Sequence, residues 1–526
     1  MKFAKLLALT ATLVAATTTY AQQIPYVDPA LRSVTPAAGV AMRPATAFDV
    51  ARVSVFVLLA DEGGVGELIA AGARIGSRVG NIVTADLRID KLPTLFTSPH
   101  FKMFEAAREV RVQHDSSMKA IRADLVRRAQ GGAWTGTTGR GVVVGVYDTG
   151  LDFNHDDFLD QAGNTRVLSI WDQTVTTGTP PAGFVYGTFC SRAAIQQTIN
   201  TPGSTACPQQ DSNGHGTHVA GTAAGDGSAV GIGGTPFQYA GVAPLADLVI
   251  VKGGNGLFSE SGIVDGLVFL ERQAKQLNRP MVVNLSLGSQ AGAHDGSRLY
   301  ETVVDSLSRA GFIVVFSAGN EGTNNTDKNP DGTSPTPFTQ YFHGSGVPGT
   351  SRDFTIEISP YLASTGVCND FVNFSLWYEA ADAFDVTIVR PDGGMVTAPF
   401  RQTREVDSPN GNVRIDNGSN GPNPRNNAFE ADIRINDCGS GSPPAAGLWT
   451  LRVSTISSVT GKRFHFWMYA QDLGGASVAR GRAGFDNHYT VTSPGNARSA
   501  ITVGAFASRM CWNSPAKPEG PVCFLT

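Results

Sequence analysis

The sequence predicts an α/β protein built on a doubly wound parallel sheet, with a β-sandwich or jelly-roll insert and a small α+β domain ahead of it. Three patterns support this prediction. Continuous apolar runs, typical of strands buried on both faces, alternate with amphipathic stretches. From about residue 345 to 478 the apolar residues instead recur with period two, which indicates half-buried strands. A region near the N-terminus shows the order β-α-β-β-α-β.

Length and composition limit the classes of function. A chain of 526 residues can form several compact domains. Its net charge of −4, with 16% charged residues, gives no sign of the basic surface that nucleic acids or anionic membranes attract. We therefore expect no nucleic-acid partner and no membrane partner. We also expect the protein to be a monomer.

Residues 1–21 have the pattern of a secretory signal peptide. Lys2 and Lys5 precede an apolar core from Leu6 to Ala16, and Ala21 ends a short cleavage-site pattern. This core is much shorter than the roughly 20 apolar residues that span a bilayer. We therefore expect the protein to be secreted, into the periplasm or out of the cell.

Residues 22–114 are predicted to form a linker followed by the small α+β domain. Ala, Pro and Thr dominate up to about residue 45, as in a linker. The predicted elements beyond it are a strand at 51–59, a helix at 65–71, two strands within 73–87, a helix near 90–96 and a closing strand within 101–112. This order makes a small split β-α-β unit.

Six cysteines in an exported chain predict structural disulfides. Six cysteines allow 15 pairings, and their positions along the chain favour local ones. No Cys-x-x-Cys spacing occurs, which argues against a metal site. The favoured pairs are Cys190 with Cys207, Cys368 with Cys438, and Cys511 with Cys523.

The parallel sheet is predicted from apolar runs at 142–146, 248–251, 281–287, 312–316 and 501–505, with an amphipathic helix at 261–276. Functional groups of such sheets gather at the carboxyl ends of the strands. Asp148, Ser286 and Asn320 all follow or end such runs. These three residues are therefore expected at one edge of the sheet.

A histidine and a carboxylate stand out within this framework. His215 opens a run of glycines and small residues, from Asn213 to Thr222, that is typical of a tightly packed helix. Asp148 lies about 67 residues earlier, at the end of a predicted buried strand. A carboxylate so placed can orient a histidine that acts as a general base.

Four motifs together carry a family resemblance. They are Asp148-Thr149-Gly150, His215-Gly216-Thr217-His218, the run from Val282 to Gly288 and the run from Val314 to Gly322. In this order the chain resembles the subtilisin-like serine peptidases, whose triad follows the order Asp, His, Ser. The resemblance implies a subtilisin-like fold and a secreted endopeptidase that needs no cofactor for its chemistry.

The same resemblance implies roles for individual residues. Asp148 and His215 are the expected catalytic residues, and the amide of Asn320 is the expected oxyanion donor. The substrate, a protein or peptide, is expected to pair in extended form with a set of backbone groups. That set comprises Gly253, Gly254, Ser286, Leu287 and Gly288.

The resemblance also divides the chain. Residues 22–114 resemble the linker and pro-domain, with an accessory domain as the alternative. Arg122, Arg127 and Arg128 are expected to be exposed and are candidate release sites. Residues 115–340 are expected to form the first part of the catalytic domain, 341–480 the insert and 481–526 the resumed domain. The insert is expected to act as a scaffold or lid, with binding of a carbohydrate or surface partner as the alternative.

The nucleophile of the family is missing from the pattern. Its Gly-Thr-Ser-small-Ala run does not occur, and the Gly-Thr-Ser runs at 332–334 and 349–351 are predicted to be loops. The run at 499–505 resembles the strand that precedes the serine segment. We therefore expect an incomplete catalytic domain, or alternatively an inactive remnant that binds peptides or a surface.

Three nearby residues are expected to have no catalytic part. His218 is predicted to pack beside His215, and Asp152 to be a surface or turn carboxylate. Asp157 matches a position where some relatives supply a calcium ligand, but calcium favours several oxygen ligands and only one candidate is evident. The metal therefore stays unknown, with structural calcium left open.

Overall fold

The computed structural model describes residues 25–27, 42–43, 51–79, 81–106, 118, 121–175, 177–230, 235–322, 325–326, 337–338, 342–349, 351–419, 421–439, 441–475, 478–505, 511–514 and 517–523. The chain divides into two compact units, one of Met1–Val112 with Met510–Thr526 and one of Gln113–Arg509. The predicted signal peptide and most of the predicted linker lie outside the described residues.

The first unit is a mixed sheet with two short helices. Its elements are β1 (Tyr26–Val27), β2 (Met42–Arg43), β3 (Arg52–Leu59), α1 (Gly63–Ala70), β4 (Arg74–Val79), β5 (Ile82–Arg88), α2 (Leu92–Leu95) and β6 (Phe101–Ala106), with a 3-10 turn at Ile89–Lys91. The strand order is β1-β6-β3-β5-β4, and β2 pairs with β3. From Arg52 to Ala106 the elements follow the order that the sequence predicts.

Alternate residues of β3 point to the same face of this sheet and form its core. Val53, Val55, Val57 and Leu59 of β3 are all at most 1% exposed, because side chains two apart in a strand share a face. They pack in one apolar cluster with Leu68 of α1 and with residues of β5 and β6.

The second unit begins with the elements that carry the predicted motifs. These are α3 (Ala123–Val126), β7 (Arg127–Gln130), β8 (Ala133–Gly136), β9 (Val143–Asp148), β10 (Val167–Asp172), β11 (Thr188–Ser191), α4 (Arg192–Asn200), α5 (His215–Ala224), β12 (Asp247–Lys252), α6 (Glu260–Leu277), β13 (Met281–Leu285), α7 (Leu299–Leu307) and β14 (Phe312–Ser317), with a 3-10 turn at Asp156–Phe158.

Between β14 and the last strand of the unit, most of the chain folds into antiparallel strands. They are β15 (Asn325–Thr326), β16 (Pro337–Phe338), β17 (His343–Gly346), β18 (Arg352–Ile358), β19 (Phe371–Glu379), β20 (Ala383–Val389), β21 (Met395–Ala398), β22 (Thr403–Val406), β23 (Asn412–Asn417), β24 (Ala428–Asn436), β25 (Gly447–Ser457), β26 (Phe464–Asp472), β27 (Ala479–Ala483) and β28 (Phe485–Asp486).

Strands β17 to β28 form two sheets that share one apolar core. The seven-stranded sheet has the order β22-β23-β24-β19-β26-β17-β28, and the five-stranded sheet has the order β21-β20-β25-β18-β27. Phe374 of one sheet and Trp449 of the other are fully buried in the same cluster. Two antiparallel sheets packed face to face are a β-sandwich. We call this part, residues 343–486, the insert.

The chain then returns to the main sheet through β29 (Ile501–Val503), which pairs with β14. The order in this sheet is β11-β10-β12-β9-β13-β14-β29, and every neighbouring pair is parallel except β10 with β11. Tyr147 of β9 packs with α6 and α7, whereas Val146 packs with α5. Helices thus cover both faces, as the doubly wound prediction requires.

Two of the three predicted disulfides are present, Cys190–Cys207 and Cys368–Cys438. The third predicted pair lies on a hairpin of β30 (Cys511–Ser514) and β31 (Lys517–Cys523), where Cys511 and Cys523 are opposite each other in the backbone register. The side chains of this pair lie outside the described residues, so this bridge stays a prediction.

Arg127 corrects one expectation about exposed basic residues. Its side chain is buried rather than exposed, its Nε donates to Val242 O at 2.9 Å, and its guanidinium lies over the ring of Trp134. The sequence around Arg127 does not indicate that a backbone carbonyl 115 residues away accepts a hydrogen bond from its side chain. Arg127 is therefore not accessible for cleavage in this fold.

Candidate active site

Asp148 and His215 meet at the carboxyl edge of the parallel sheet. Asp148 is the last residue of β9 and 1% exposed, and His215 is the first residue of α5. His215 Nδ1 lies 2.7 Å from Asp148 Oδ1. Because a carboxylate can only accept, Nδ1 carries the proton in this contact, and in the neutral imidazole Nε2 keeps its lone pair. Within the described part of the chain, Nε2 has no hydrogen-bond partner.

Glycine makes this close approach of helix to strand end sterically feasible. A Cβ on Gly216 would lie 2.2 Å from the carbonyl oxygen of Gly150 and 3.2 Å from Asp148 Cβ. Gly214, just ahead of the helix, has φ of 86°, in the left-handed region. The glycines of the two motifs therefore serve the contact between Asp148 and His215.

Asp211 holds the histidine loop in place, and the sequence analysis did not identify it. Its Oδ1 accepts hydrogen bonds from Thr149 Oγ1 and Gly214 N, both at 2.9 Å. Its Oδ2 accepts from the backbone N and the Oγ1 of Thr217, at 2.9 and 2.6 Å. Gly216 N in turn donates to Thr149 Oγ1 at 2.9 Å. One carboxylate thus links the segment after β9 to the first turn of α5.

Partial burial raises the pKa of Asp211, but the hydrogen bonds from Thr217, Gly214 and Thr149 outweigh it and hold the pKa below the usual value. Asp211 is therefore ionised at neutral pH. Its position ahead of Ser212-Asn213-Gly214 is typical of an aspartate that opens a turn. That turn pattern is the signal that could have identified it.

A cleft of about 560 Å³ contains His215 and several of the other predicted residues. Ser286, Leu287 and Gly288, which follow β13, form one wall. Asn284 Nδ2 donates to Ser286 Oγ at 2.9 Å and orders this segment. The predicted oxyanion residue Asn320, exposed just beyond β14, lines the same cleft.

Glu321 is a partly buried acid on the cleft wall to which the sequence analysis gave no role. Burial raises its pKa, although backbone groups of Glu321 and Asn320 and the side chain of Gln290 oppose the shift. Its Oε2 has no hydrogen-bond partner among the described residues.

Gly253 and Gly254 lie on the other side of the cleft, directly after β12. The N–H of Gly253 already donates to Asp148 O at 2.9 Å, and a Cβ here would lie 2.1 Å from Tyr147 Oη. Gly254 is buried. On this side the cleft is lined by Gly256, Leu257 and Phe258. The role of the two predicted glycines in substrate binding stays a prediction.

His218, Asp152 and Asp157 surround a separate cavity of about 510 Å³ beside α5. Asp157 Oδ1 accepts from Ala229 N at 2.9 Å, and burial raises its pKa. Among the described residues, no group of three or more His, Cys, Asp or Glu side chains is arranged to hold a metal ion. Calcium binding stays an open expectation.

Comparisons with known proteins show what the chain is similar to. Residues 139–357 match the model of the subtilase family. The chain is 33% identical over 257 residues to the extracellular serine proteinase of Thermus sp. (strain Rt41A), covering 47% of this chain and 50% of that protein. It is 32% identical over 250 residues to subtilisin Savinase of Lederbergia lenta, covering 44% of this chain and 72% of that protein.

Among solved structures, the chain resembles the CspB protease of Clostridium perfringens with a TM-score of 0.57 and 23% identity. The similarity covers 71% of this chain and 70% of that one, and it shows a shared fold. The chain spans about half of the length of the Thermus relative.

Proposed function

The chain belongs to the subtilase family, and from this premise we propose that it is a secreted serine endopeptidase that hydrolyses peptide bonds in proteins. Asp148 and His215 are the proposed catalytic residues and Asn320 the proposed oxyanion donor. The observation that carries the proposal is the 2.7 Å contact between His215 Nδ1 and Asp148 Oδ1 beside a cleft that Asn320 also lines.

The chemistry follows from the roles that this geometry permits. A serine hydroxyl is a weak nucleophile at neutral pH, so His215 Nε2 takes its proton and later returns it to the leaving amine. Asp148 holds the imidazole in the tautomer that leaves Nε2 unprotonated, and it stabilises the imidazolium that forms. The amide of Asn320 donates to the oxyanion. In subtilisin one such donor contributes on the order of 3 kcal/mol to catalysis.

The proposed mechanism requires a serine within about 2.6–3.2 Å of His215 Nε2. The family's Gly-Thr-Ser-small-Ala run does not occur among the 526 residues. We therefore propose that sequence beyond these residues supplies the nucleophile, on a segment that follows β29.

The other parts of the proposal rest on the sequence. Residues 1–21 direct export, the first unit serves as a pro-domain, and release occurs ahead of the anchored Arg127. None of the helices in the described part of the chain is long and apolar enough to cross a bilayer. The chemistry uses no cofactor, the protein is a monomer, and the substrate is an extended polypeptide.

A second candidate function is peptide binding without catalysis. It is favoured by the cleft of about 560 Å³, which the predicted substrate-binding segment 286–288 lines. The experiment that separates the two functions starts from the complete coding sequence, read past the codon for Thr526. The secreted protein is then tested for casein hydrolysis and for labelling by a fluorophosphonate, which reacts with activated serines.

We expect hydrolysis and labelling in the wild type, and loss of both in His215→Ala. His218→Gln, which changes a neighbouring histidine on the same helix, is the matched control and should retain activity. A stop codon directly after Thr526 together with the absence of hydrolysis would exclude the protease proposal and favour peptide binding.

A further inference from the structure

A third cavity, of about 730 Å³, lies between the insert and the segment 291–300 of the parallel-sheet part of the second unit. Glu260, at the start of α6, and Tyr300, in the first turn of α7, line this cavity. The same two residues also line the cleft that contains His215. The cavity therefore adjoins the proposed substrate cleft, and one of its walls comes from the insert. We call it the insert cavity.

The insert presents polar and aromatic side chains to this cavity. In β19, Phe374 and Leu376 are buried in the sandwich core, so the alternate residues Ser375 and Trp377 project from the opposite face. Glu430 of β24 is opposite Trp377 in the antiparallel register and also lines the cavity. A ring and a carboxylate are thus placed side by side on one wall.

Among the residues that the structure describes, the carboxylate of Glu430 forms no ion pair. Arg298 is engaged by Glu260 through two hydrogen bonds, of 2.6 and 2.8 Å. Arg425 donates to Ser297 O and to Thr302 Oγ1, which fastens the insert to the segment below it. Glu430 accepts a hydrogen bond from Ser375 Oγ at 2.6 Å and forms no ion pair among the described residues.

Its surroundings make Glu430 a site for a positive charge. The side chain of Glu430 is exposed in the cavity. Partial desolvation raises its pKa, the hydrogen bond from Ser375 lowers it, and Asp432 and Asp416 raise it while Arg298 lowers it, with a net shift upward. A cation placed beside the carboxylate would relieve this repulsion. The ring of Trp377 can add a cation–π attraction to the same charge.

Tyr300 supplies a second polar group that lacks a partner. Its side chain is 7% exposed, and its hydroxyl has no hydrogen-bond partner among the described residues. Burial raises its pKa, so the hydroxyl keeps its proton as a donor. A buried donor without an acceptor is unfavourable. The Tyr300 oxygen has almost no exposed surface, so this residue forms part of the wall between the cleft and the cavity.

We propose that the insert cavity is a remote specificity subsite that receives a lysine or arginine side chain of the polypeptide substrate. The cationic group lies between the carboxylate of Glu430 and the ring of Trp377. This inference rests on the proposed function, because it assigns part of the substrate to a surface that adjoins the cleft of His215.

The test measures binding separately from hydrolysis. The full-length protein carrying His215→Ala is titrated with fluorescent ten-residue peptides in which one lysine is moved through successive positions. Matched peptides carry norleucine or glutamate at the same position. At one position distant from the scissile bond, we expect lysine to bind about 10-fold more tightly than glutamate.

Two further variants connect that preference to the cavity. Glu430→Gln should abolish the preference and Glu430→Lys should reverse it, whereas Glu405→Gln, an exposed glutamate of the same sheet, should leave it unchanged. Unchanged thermal unfolding and circular dichroism show that each variant is folded. A lysine preference that persists in folded Glu430→Gln, or that occurs at no position, would overturn the subsite.

Kinetics on the enzyme with His215 intact distinguishes this inference from the proposed function. A lysine-containing peptide should lose affinity through KM in Glu430→Gln, with kcat unchanged. Hydrolysis without any lysine preference would reject the subsite alone. A lysine preference in binding without hydrolysis in the wild type would reject the protease and keep the subsite.

Discussion

Gly216 packs directly against Gly150: a Cβ at Gly216 would lie 2.2 Å from the carbonyl oxygen of Gly150, a distance that no side chain tolerates. This contact brings the first turn of α5 onto the end of β9. The hydrogen bond between His215 and Asp148 depends on it, because these residues flank the contact on the two elements.

We therefore expect Gly216→Ala to separate the two catalytic candidates. The predicted result is a loss of at least 100-fold in kcat/KM and a destabilisation of about 2–3 kcal/mol, measured by peptide hydrolysis and by urea unfolding. Gly221→Ala on the same helix is the control. A Cβ there meets nothing within 4 Å, and alanine should stabilise the helix by about 0.5–1 kcal/mol. Equal activity and stability of Gly216→Ala and Gly221→Ala would contradict the importance of the contact between Gly216 and Gly150.

Asp211→Asn tests the carboxylate that holds the histidine loop. An amide can accept on one atom only, so hydrogen bonds to Thr217, or those to Thr149 and Gly214, are lost. We expect a destabilisation of about 2 kcal/mol and a fall in kcat/KM of about 10- to 100-fold, with smaller changes in KM than in kcat.

The control for Asp211 is Asp152→Asn, because the Asp152 carboxylate accepts from the neighbouring Asn154 N. This variant should resemble the wild type.

The pKa of Asp211 is lower in the folded protein than in the unfolded chain. The stability that Asp211 contributes is therefore complete above its unfolded pKa and is lost as the pH falls through its folded pKa. A wild-type activity in Asp211→Asn would show that the loop does not need the carboxylate.

Three polar groups form a chain inside the insert. His343 Nδ1 lies 2.6 Å from Asp486 Oδ1, and His343 Nε2 lies 2.9 Å from His465 Nδ1. If Nδ1–H of neutral His343 donates to the carboxylate, Nε2 must accept from His465 Nδ1–H. Burial lowers the pKa of His343, and it lowers that of His465 to about 4.

This arrangement predicts loss of stability in mild acid. Between the unfolded value near 6.5 and the lower folded values, the unfolded chain binds more protons than the folded chain, so stability falls as the pH falls. Each histidine contributes up to about 1.4 kcal/mol per pH unit in that window. Calorimetry from pH 7.5 to 4.5 should show a steeper fall in Tm for the wild type than for His465→Gln. Equal slopes would show that His465 does not titrate there.

The two disulfides should differ in their contribution to stability. The bridge Cys368–Cys438 spans 70 residues of the insert, whereas Cys190–Cys207 spans 17. On the chain-entropy model, removing the longer cross-link costs about 4 kcal/mol and removing the shorter one about 3 kcal/mol. Paired Cys→Ser variants, compared by urea unfolding at neutral pH, should preserve this order. A larger loss for Cys190–Cys207 would show that strain or residual structure outweighs the entropy of loop closure.

Local patterns predicted much of this molecule. The apolar runs at 142–146 and 281–287 predicted parallel strands because a strand buried on both faces needs no polar alternation. The motifs at Asp148 and His215 predicted a contact between residues far apart in the sequence, and the structure places their side chains 2.7 Å apart. In both cases the residues that support the prediction lie within a few consecutive positions of the sequence.

The features that were not predicted depend on distant residues. Arg127 is buried because carbonyls near Val242 accept from its guanidinium, and nothing next to Arg127 in the sequence indicates this. The N–H of the predicted substrate-binding residue Gly253 already donates to Asp148 O. The insert cavity combines Tyr300 with Glu430, which only the packed fold brings together.

The insert lies in the sequence between β14 and β29, two neighbouring strands of the main sheet, and this position has a consequence for folding. Strands β14 and β29 are adjacent and parallel, with Val315 opposite Ile501, although roughly 180 residues separate them. An unstructured connection of that length makes the pairing slow, because its entropy is lost before the strands gain any contact. Once the insert has folded, its two ends are held near each other and the effective connection is short. The sandwich is thus expected to form before β29 pairs with β14, which makes β29 one of the last strands to join the sheet.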